Sequence, residues 1–553
     1  MRNLGVMLGV FAGGWMALAG GCQLIAGVKD ATLYPEDAGT GGGGQGGEGG
    51  SGGSTNCAPG SKIGCYSGPT GTKGVGICAA GQQTCRMDGS GYDACVGDVG
   101  PKAESCAAAA DENCDGYDCV QWAELFGDTG DQLTTNIAVD AVGNSFVGGS
   151  FTGVIPFGAD VIKSTGSTDG FLLKFSPTGT PIWGMSFGDA NSYQSITAIA
   201  TDSDGNALIT GFSFSSLNIG DAALPAGPFV AKFDKNGKFA WGKGLVASSC
   251  ASVSLGSARI AVTPQNDVIL AGSFCGTLDF GDGPLVSQGS NVSNGFIAKL
   301  RGNDGSGKAS DGGWTTVFGD GQNAQAASDV SVAPTGDIVV VGNFSGSLTL
   351  KSSYQSGSGV NIFVAQLTSA GVATWIANLG GAADAQGAKI AVDKFGGPVI
   401  LGSFSDSISL DGNVINSIGG TENGLVVKMS TDKSIEWYKQ VPIGAFGSVA
   451  IDTKGNIFLT GLFKGSLDLG AGPLNAPGME FDPFLAKLTK GGSVVWNKRF
   501  AGATQVLSIF GVVATNGADE PIMAGVTNIP VDFGTGILTP ISGEDGFLAK
   551  FSP

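Results

Sequence analysis

The chain has 553 residues, with 47 acidic side chains against 29 basic ones, a formal charge of −18 and no histidine. That charge opposes phosphate backbones and anionic lipid surfaces, so nucleic acid is not an expected partner. The missing histidine removes Ser-His-Asp triads, Cys-His dyads and His-ligated zinc or iron, and 97 glycines with only 14% charged residues point to tight turns between buried strands, not to helices.

The first element is a leader. Arg2 precedes an apolar run from Leu4 to Leu18, then small residues and Cys22, the order of a secretory signal. It resembles a bacterial lipoprotein signal, although Ala19 stands where that family usually has Leu. The resemblance implies that Cys22 is acylated and becomes the mature N-terminus, which would hold the protein to a membrane through lipid. Residues 23–56 form a linker, and the stretch AGTGGGGQGGEGGSGGSTN from Ala38 to Asn56 has nothing with which to build a core. As a flexible coil it would hold the cysteine-rich segment beyond it at roughly 25 Å from the anchor.

Residues 57–119 carry Cys57, Cys65, Cys78, Cys85, Cys95, Cys106, Cys114 and Cys119. An even set in a short exported segment reads as a disulfide framework of four bridges, whose connectivity the sequence leaves open. The wording CAPGSKIGCYSGPTGTKGVGICAAGQQTC resembles a cysteine-rich module found ahead of repeat domains in exported proteins of large-genome Gram-negative bacteria. DENCDG, from Asp111 to Gly116, resembles part of a putative metal-binding motif with a doubled CDG; one CDG stands here, and a disulfide-fixed turn accounts for the same residues. Beyond the module only Cys250 and Cys275 remain, and they are expected to pair.

From residue 120 onward the chain repeats. Trp122, Trp183, Trp241, Trp314, Trp375, Trp437 and Trp496 recur at a step of roughly 60 residues, the signature of stacked units. Each unit reads as two hairpins, strands A and B and then C and D, as in NIAVD, SFVGGSF, FLLKF and IWGMSF. Strand B carries a glycine at a fixed place (Gly149, Gly211, Gly272, Gly342, Gly402, Gly461, Gly525), which suggests a bulge or a close backbone approach. Both strand faces are apolar, as in sheets buried between like neighbours, so residues 120–553 are predicted to form an all-β, seven-bladed β-propeller of four-stranded antiparallel blades. The array opens on a lone strand D, VQWAELF, and ends on a lone strand C, FLAKF; pairing the two completes the last blade and leaves no open edge.

The words DAVGN, DSDGN and DTKGN at the A–B turn, AGSF and LGSF in strand B, and DGFLLKF and DGFLAKF in strand C resemble the bacterial seven-bladed β-propeller (SBBP) repeat family. The resemblance implies a surface or secreted binding or structural module with no catalytic residues to carry over. Thr263 and Ala333 replace the turn aspartate, Leu425 replaces a strand C phenylalanine, and Gln366 replaces the recurrent strand C lysine.

Connectivity selects the candidate site residues. A–B and C–D turns are short and lie at one end of the ring; the long B–C and D–A connections leave from the other. There FGD recurs at Phe126–Asp128, Phe187–Asp189 and Phe318–Asp320, so Asp128, Asp131, Asp189, Asp320 and Asp329 read as an acidic rim suited to cations, calcium-bridged glycans or basic peptides. A Cys250–Cys275 bridge would stiffen the same end. DSDGN, Asp202 to Asn206, offers oxygens for calcium, but a hairpin turn explains it as well. The repeated Trp reads as inter-blade packing and the strand C Lys as a strand-end charge. The expectation is a monomeric, non-catalytic propeller of the bacterial envelope, as an outer-membrane lipoprotein or secreted, without catalytic residues, metal site or cofactor, Ca2+ being the one ion its acids would suit. It would bind a cell-surface protein or glycan through the long-loop end. The alternative is a carbohydrate-active enzyme, glycosidase or lyase, with carboxylates in the central funnel, where the inner strands offer chiefly Ile, Val, Ala and Ser with Arg259 and Lys389.

Overall fold

The computed structural model describes residues 57–69, 72–102, 111–112, 114 and 120–553, apart from 191, 246, 249–257, 290, 382, 421, 443–444, 471, 477–480, 501–510, 535 and 542. The leader, Cys22 and the linker therefore lie outside the described residues, as do Cys106, Cys119 and Cys250. In the cysteine-rich module, strands Lys62–Cys65 and Gly81–Thr84 pair antiparallel, and three bridges join Cys57 to Cys85, Cys65 to Cys95 and Cys78 to Cys114. Loops of 28, 30 and 36 residues are closed in this way, each worth about 3–4 kcal/mol by chain entropy, in a segment with little apolar surface to bury. Such bridges mark an oxidising compartment.

The remainder is a ring of seven four-stranded antiparallel blades. Blade 1 is Gln132–Val139, Ser145–Phe151, Asp169–Phe175 and Pro181–Phe187, strands A to D in that order across the sheet. Blades 2 to 6 repeat it, with A strands at Gln194–Thr201, Arg259–Val262, Gln325–Val332, Ala385–Val392 and Ala445–Ile451. Each A strand packs against the A strands of both neighbouring blades, all the way round, so A is innermost. Blade 7 takes Val512–Thr515, Pro521–Thr527 and Asp545–Phe551 from the end of the chain and Val120–Phe126 from its beginning, in register Phe126↔Gly546 and Trp122↔Lys550. The ring is closed as predicted.

Strands B and C are buried on both faces, and the core divides into seven apolar clusters, each built from two adjacent blades. The strand B glycine is explained by what lies beside it. Gly149, Gly211, Gly272 and Gly342 pair with Phe171, Phe229, Phe296 and Phe363 of strand C, and a Cβ on Gly211 or Gly402 would stand 2.6 Å from the carbonyl oxygen of Ser195 or Gln386 on strand A. The glycine is thus a close approach; the bulge is on strand A opposite it, at Thr134/Asn136, Ile196/Ala198, Ala327/Asp329, Gly387/Lys389 and Phe446/Ser448.

The B–C connections differ from the plain loops expected. Each carries a small hairpin, such as Val154–Phe157 with Asp160–Lys163 and Leu217–Ile219 with Ala222–Leu224. Its apolar residues (Ile155 and Phe157, Leu217 and Ile219, Leu467 and Leu469, Val531 and Phe533) enter the cluster shared with the preceding blade, and in blade 4 a hairpin side chain meets strand D, Tyr354 Oη donating to Ile376 O at 3.0 Å. Blades diverge outward from the axis, so the wedge between successive D strands needs a filler. The hairpin supplies it and covers the outer edge.

Candidate functional site

The short-turn end is occupied by joints between blades. The strand C lysine is not a surface charge: Lys232 Nζ lies 2.8 Å from Asp202 of its own A–B turn, with Lys299–Asp267 and Lys428–Asp393 also at 2.8 Å and Lys550–Glu520 at 2.6 Å. The lysine then reaches the next blade, where it shares an acceptor with the strand D tryptophan. Lys174 Nζ and Trp183 Nε1 donate to Lys235 O, Lys232 and Trp241 to Gly302 O, and Lys550 and Trp122 to Pro177 O, at 2.8–3.3 Å. The closing joint between the two ends of the chain is therefore made like the continuous ones. Five of the seven tryptophan rings lie on a turn glycine of left-handed φ, as Trp122 does on Gly179 and Trp437 on Gly492, where a Cβ would stand 2.9 Å from the ring. In blade 5 that turn position is Lys433, with φ +70°, and the indole N–H of Trp375 in blade 4 is buried without a partner among the described residues. The departures noted in the sequence are compensated here. Where Thr263 and Asn516 replace the turn aspartate, Asp267 and Glu520, four residues on, take the lysine; where Ala333 does, the lysine is Gln366, whose Oε1 accepts from Thr374.

At the long-loop end FGD and DGF prove to be reciprocal motifs. The FGD phenylalanine covers the strand C glycine of its own blade (Phe126↔Gly546, Phe187↔Gly170, Phe318↔Gly295). The FGD glycine lies against the buried Asp or Asn that opens strand C: Gly127 on Asp545, Gly188 on Asp169, Gly319 on Asn294. The FGD aspartate caps its own loop and holds the next blade. Asp128 Oδ1 accepts from Gly130 N at 2.9 Å and Gln132 Nε2 at 3.2 Å; Asp189 accepts from Ser192 N at 3.0 Å and from the Ser215 hydroxyl. Asp320 accepts from Gln322 N, Asn323 N, Asn323 Nδ2 and Ser347 N. Burial opposes ionisation of Asp320, but these donors outweigh it and hold the carboxyl at about 2. Asp131 Oδ1 accepts from Glu544 N at 3.3 Å. Four of the five rim candidates therefore stand at the long-loop end, engaged in holding loops, while Asp329 lies elsewhere, on an inner strand.

Asp169 and Asp545 behave in the opposite way. Burial raises both, helped by nearby Asp189 and Asp128 respectively, against hydrogen bonds from Thr165 and Ile541, and Oδ1 of each is buried without a partner among the described residues. A carboxyl raised in the folded state contributes stability below the unfolded carboxylate range and loses it as pH rises through the folded value. Blades 3, 4 and 5 have Asn294, Asn361 and Asn423 at this position. Asp169→Asn and Asp545→Asn are therefore expected to raise the melting temperature at pH 7 by a few degrees and to leave it unchanged near pH 3, read by calorimetry across pH.

The centre of the ring is a water-accessible channel. Strand A, though innermost, is half-exposed at positions where B and C are buried. Opposite the residue before the strand B glycine, one position per blade reads Asn136, Ala198, Arg259, Asp329, Lys389, Ser448 and Val512. Charge is thus confined to blades 3, 4 and 5. Arg259 bridges its neighbours, Nη1 donating to Thr197 O at 2.9 Å and Nε to Ser328 O at 3.3 Å. Asp329 Oδ2 accepts from Ile390 N at 3.0 Å. Lys389 makes no hydrogen bond among the described residues; burial lowers its ammonium to about 8, the charge of Arg259 adding to the effect and Asp329 opposing it. Symmetry in this repeat marks structure, so the break in symmetry singles out these three residues.

Asp202 and Asp204 of the calcium-like turn are engaged with Lys232 and Asn206 and with Asn266, and among the described residues no three Asp, Glu or Cys gather as a metal site. Cys275 is buried and disulfide-bonded; the adjoining crossover strand Ala247–Ser248 pairs with Thr277–Leu278, and Cys250 comes after it, outside the described residues. No family model matches the chain, nor does any curated protein. Solved structures it resembles include the Dos1 propeller (8% identity over 77% of this chain and 95% of that one, TM-score 0.37). Hydrazine synthase of Kuenenia stuttgartiensis (11%, 73% and 97%, TM-score 0.39) and polysaccharide lyase Uly1 (11%, 76% and 89%, TM-score 0.37) are others. None of these likenesses bears on what the chain binds.

Proposed function

We propose that the chain is an exported, envelope-tethered propeller that binds a cell-surface protein or glycan without chemical turnover, through the long-loop end and the channel mouth that opens there. The observation that carries this reading is the placement of charge in the ring. A glycosidase needs two opposed acids; over their described residues the inner strands carry one carboxylate, Asp329. Recognition needs only fixed polar groups, and the short-turn end is already committed to blade joints. The disulfides support export, and the lipoprotein-like leader with its Gly-rich linker supports a tether at Cys22. The wording of the repeat supports SBBP membership.

The test is a glycan and envelope-protein array probed with the mature chain, with products analysed in parallel. Saturable binding with unchanged ligand is expected; release of reducing ends or unsaturated sugars would replace this reading with the enzyme. The proposed Cys250–Cys275 bridge gives a second expectation. Cys250→Ser with Cys275→Ser should weaken binding by about tenfold while lowering the melting temperature by only a few degrees, because the bridge closes one surface connection and not the ring. Unchanged affinity would move the ligand away from that loop.

A further inference from the structure

We propose that the channel waist is a binding site for a carboxylate group, held between Lys389 Nζ and the free Nη2 of Arg259. The inference rests on the reading of the chain as a binding protein and names the chemistry that its channel would recognise.

Three observations converge on it. The first is position. Arg259, Asp329 and Lys389 occupy the same place on three consecutive inner strands, on one side of a water-accessible lumen, while the other four blades offer Asn136, Ala198, Ser448 and Val512. A bulge aims side chains that a regular strand would send elsewhere; one precedes Asp329 and Lys389, and Arg259 holds the matching register, opposite the residue before the strand B glycine.

The second is the unused donors. Arg259 is fixed by two carbonyls of neighbouring blades through Nη1 and Nε, which leaves Nη2 with no hydrogen bond among the described residues and a guanidinium that cannot swing away. Lys389 has no hydrogen-bond partner among them either, although the strand C lysines of the same fold are matched to carboxylates and carbonyls. The two cations share one carboxylate, Asp329, which already accepts from Ile390 N, an excess of positive charge that binding of a further anion would relieve.

The third is charge. The protein carries −18, yet Arg259 and Lys389 against Asp329 leave this level of the channel at +1. A narrow lumen walled by protein focuses that field and favours an anion inside an otherwise acidic molecule. A local charge of +1 matches a monoanion. A phosphate dianion would leave net negative charge beside Asp329, so a carboxylate fits best, and hydrogen bonds from both cations would be charge-assisted.

Two sources share this chemistry, a sugar acid and the C-terminus of a peptide, and the experiment separates them. Sodium glucuronate, N-acetylglycine, glucose and inorganic phosphate are each titrated calorimetrically into the mature chain, into Lys389→Met and into Lys389→Arg. At least one carboxylate should bind saturably, while glucose does not bind and phosphate binds more weakly; whichever carboxylate binds better names the source. Lys389→Met should lose about tenfold or more in affinity and Lys389→Arg should keep most of it, since the charge-assisted contact survives only in the latter. Affinity in the wild type should fall as pH rises past about 8, where Lys389 loses its proton, and should not fall there in Lys389→Arg. The charged groups facing Lys389 are Arg259 and Asp329. Folding of each variant is read from its melting temperature. Absence of binding by both carboxylates, equal affinity in a folded Lys389→Met, or tighter binding of phosphate would overturn the proposal. Carboxylate binding by a chain that captures no glycan or envelope protein would instead overturn the broader functional reading and leave the channel site standing.

Discussion

Replacing Val120–Phe126 with a Gly/Ser segment of equal length is expected to abolish cooperative unfolding of the propeller. Val120 and Phe126 are buried, and Phe126 lies 6.1 Å from the ring of Phe171 and 5.9 Å from that of Phe175, centroid to centroid, within the cluster shared by blades 7 and 1. Burial of these two side chains contributes about 3–6 kcal/mol. The strand also supplies the Trp122 donor to Pro177 O and the Gln121 donor to Glu520, and its loss would bare the hydrogen-bonding edge of Asp545–Phe551, an invitation to aggregate. The sum approaches the whole stability of an ordinary domain, about 5–15 kcal/mol. Calorimetry and size-exclusion chromatography should show loss of the sharp transition and growth of oligomers. Gly546→Val tests the same joint with one residue, because its side chain would overlap the Phe126 ring. A monomer with an unchanged melting temperature in both variants would mean that the ring does not depend on its closing strand.

That joint was legible in the sequence because closure is a matter of counting: a lone strand D at one end and a lone strand C at the other. The outer hairpins were not. Triplets such as Leu217–Asn218–Ile219 and Leu467–Asp468–Leu469 alternate correctly, but at three residues they are too short to separate from loop, and the wedge they fill exists only between two blades. Recurrence of FGD and DGF was visible, while their complementarity depends on register, and in blade 7 the partners Phe126 and Gly546 lie at opposite ends of the propeller sequence. An acidic rim was a fair reading of Asp128, Asp189 and Asp320 by composition; the backbone N–H groups that occupy their oxygens appear only once the crossover turns are built. Arg259 and Lys389 could be seen on inner strands. The bulge before Lys389 shifts the alternation of its strand by one residue, so periodicity alone places its side chain on the wrong face.

Breaking the Asp202–Lys232 pair from one side should be the costliest point change outside the closing joint, and blade 4 shows how to make it nearly harmless. Both groups are buried, Asp202 at 4% exposure and Lys232 at 9%. Burial alone would raise Asp202, but Lys232 and Asn206 outweigh it, so the carboxyl is lowered. A lowered acid contributes stability above the unfolded carboxylate range that is lost as pH falls through the folded value, so acid should weaken this joint. Asp202→Asn can still accept hydrogen bonds from Asp204 N and Asn206 N, which now end on Oδ1, but strands the Lys232 ammonium, at a cost of about 3–5 kcal/mol. Lys232→Gln strands the carboxylate in turn. The double variant approaches the state that blade 4 already occupies with Ala333 and Gln366, where neither charge is present and the sheet is formed in the same register. Its cost should fall well below the sum of the singles, giving a coupling of about 2 kcal/mol in a double-mutant cycle measured by urea unfolding at pH 7. The coupling should shrink as pH falls through the folded value of Asp202, which lies below the usual carboxylate range. Additive single costs at neutral pH would mean that the pair is held by packing alone, and that the joint between blades 2 and 3 rests on Trp241 and its bond to Gly302.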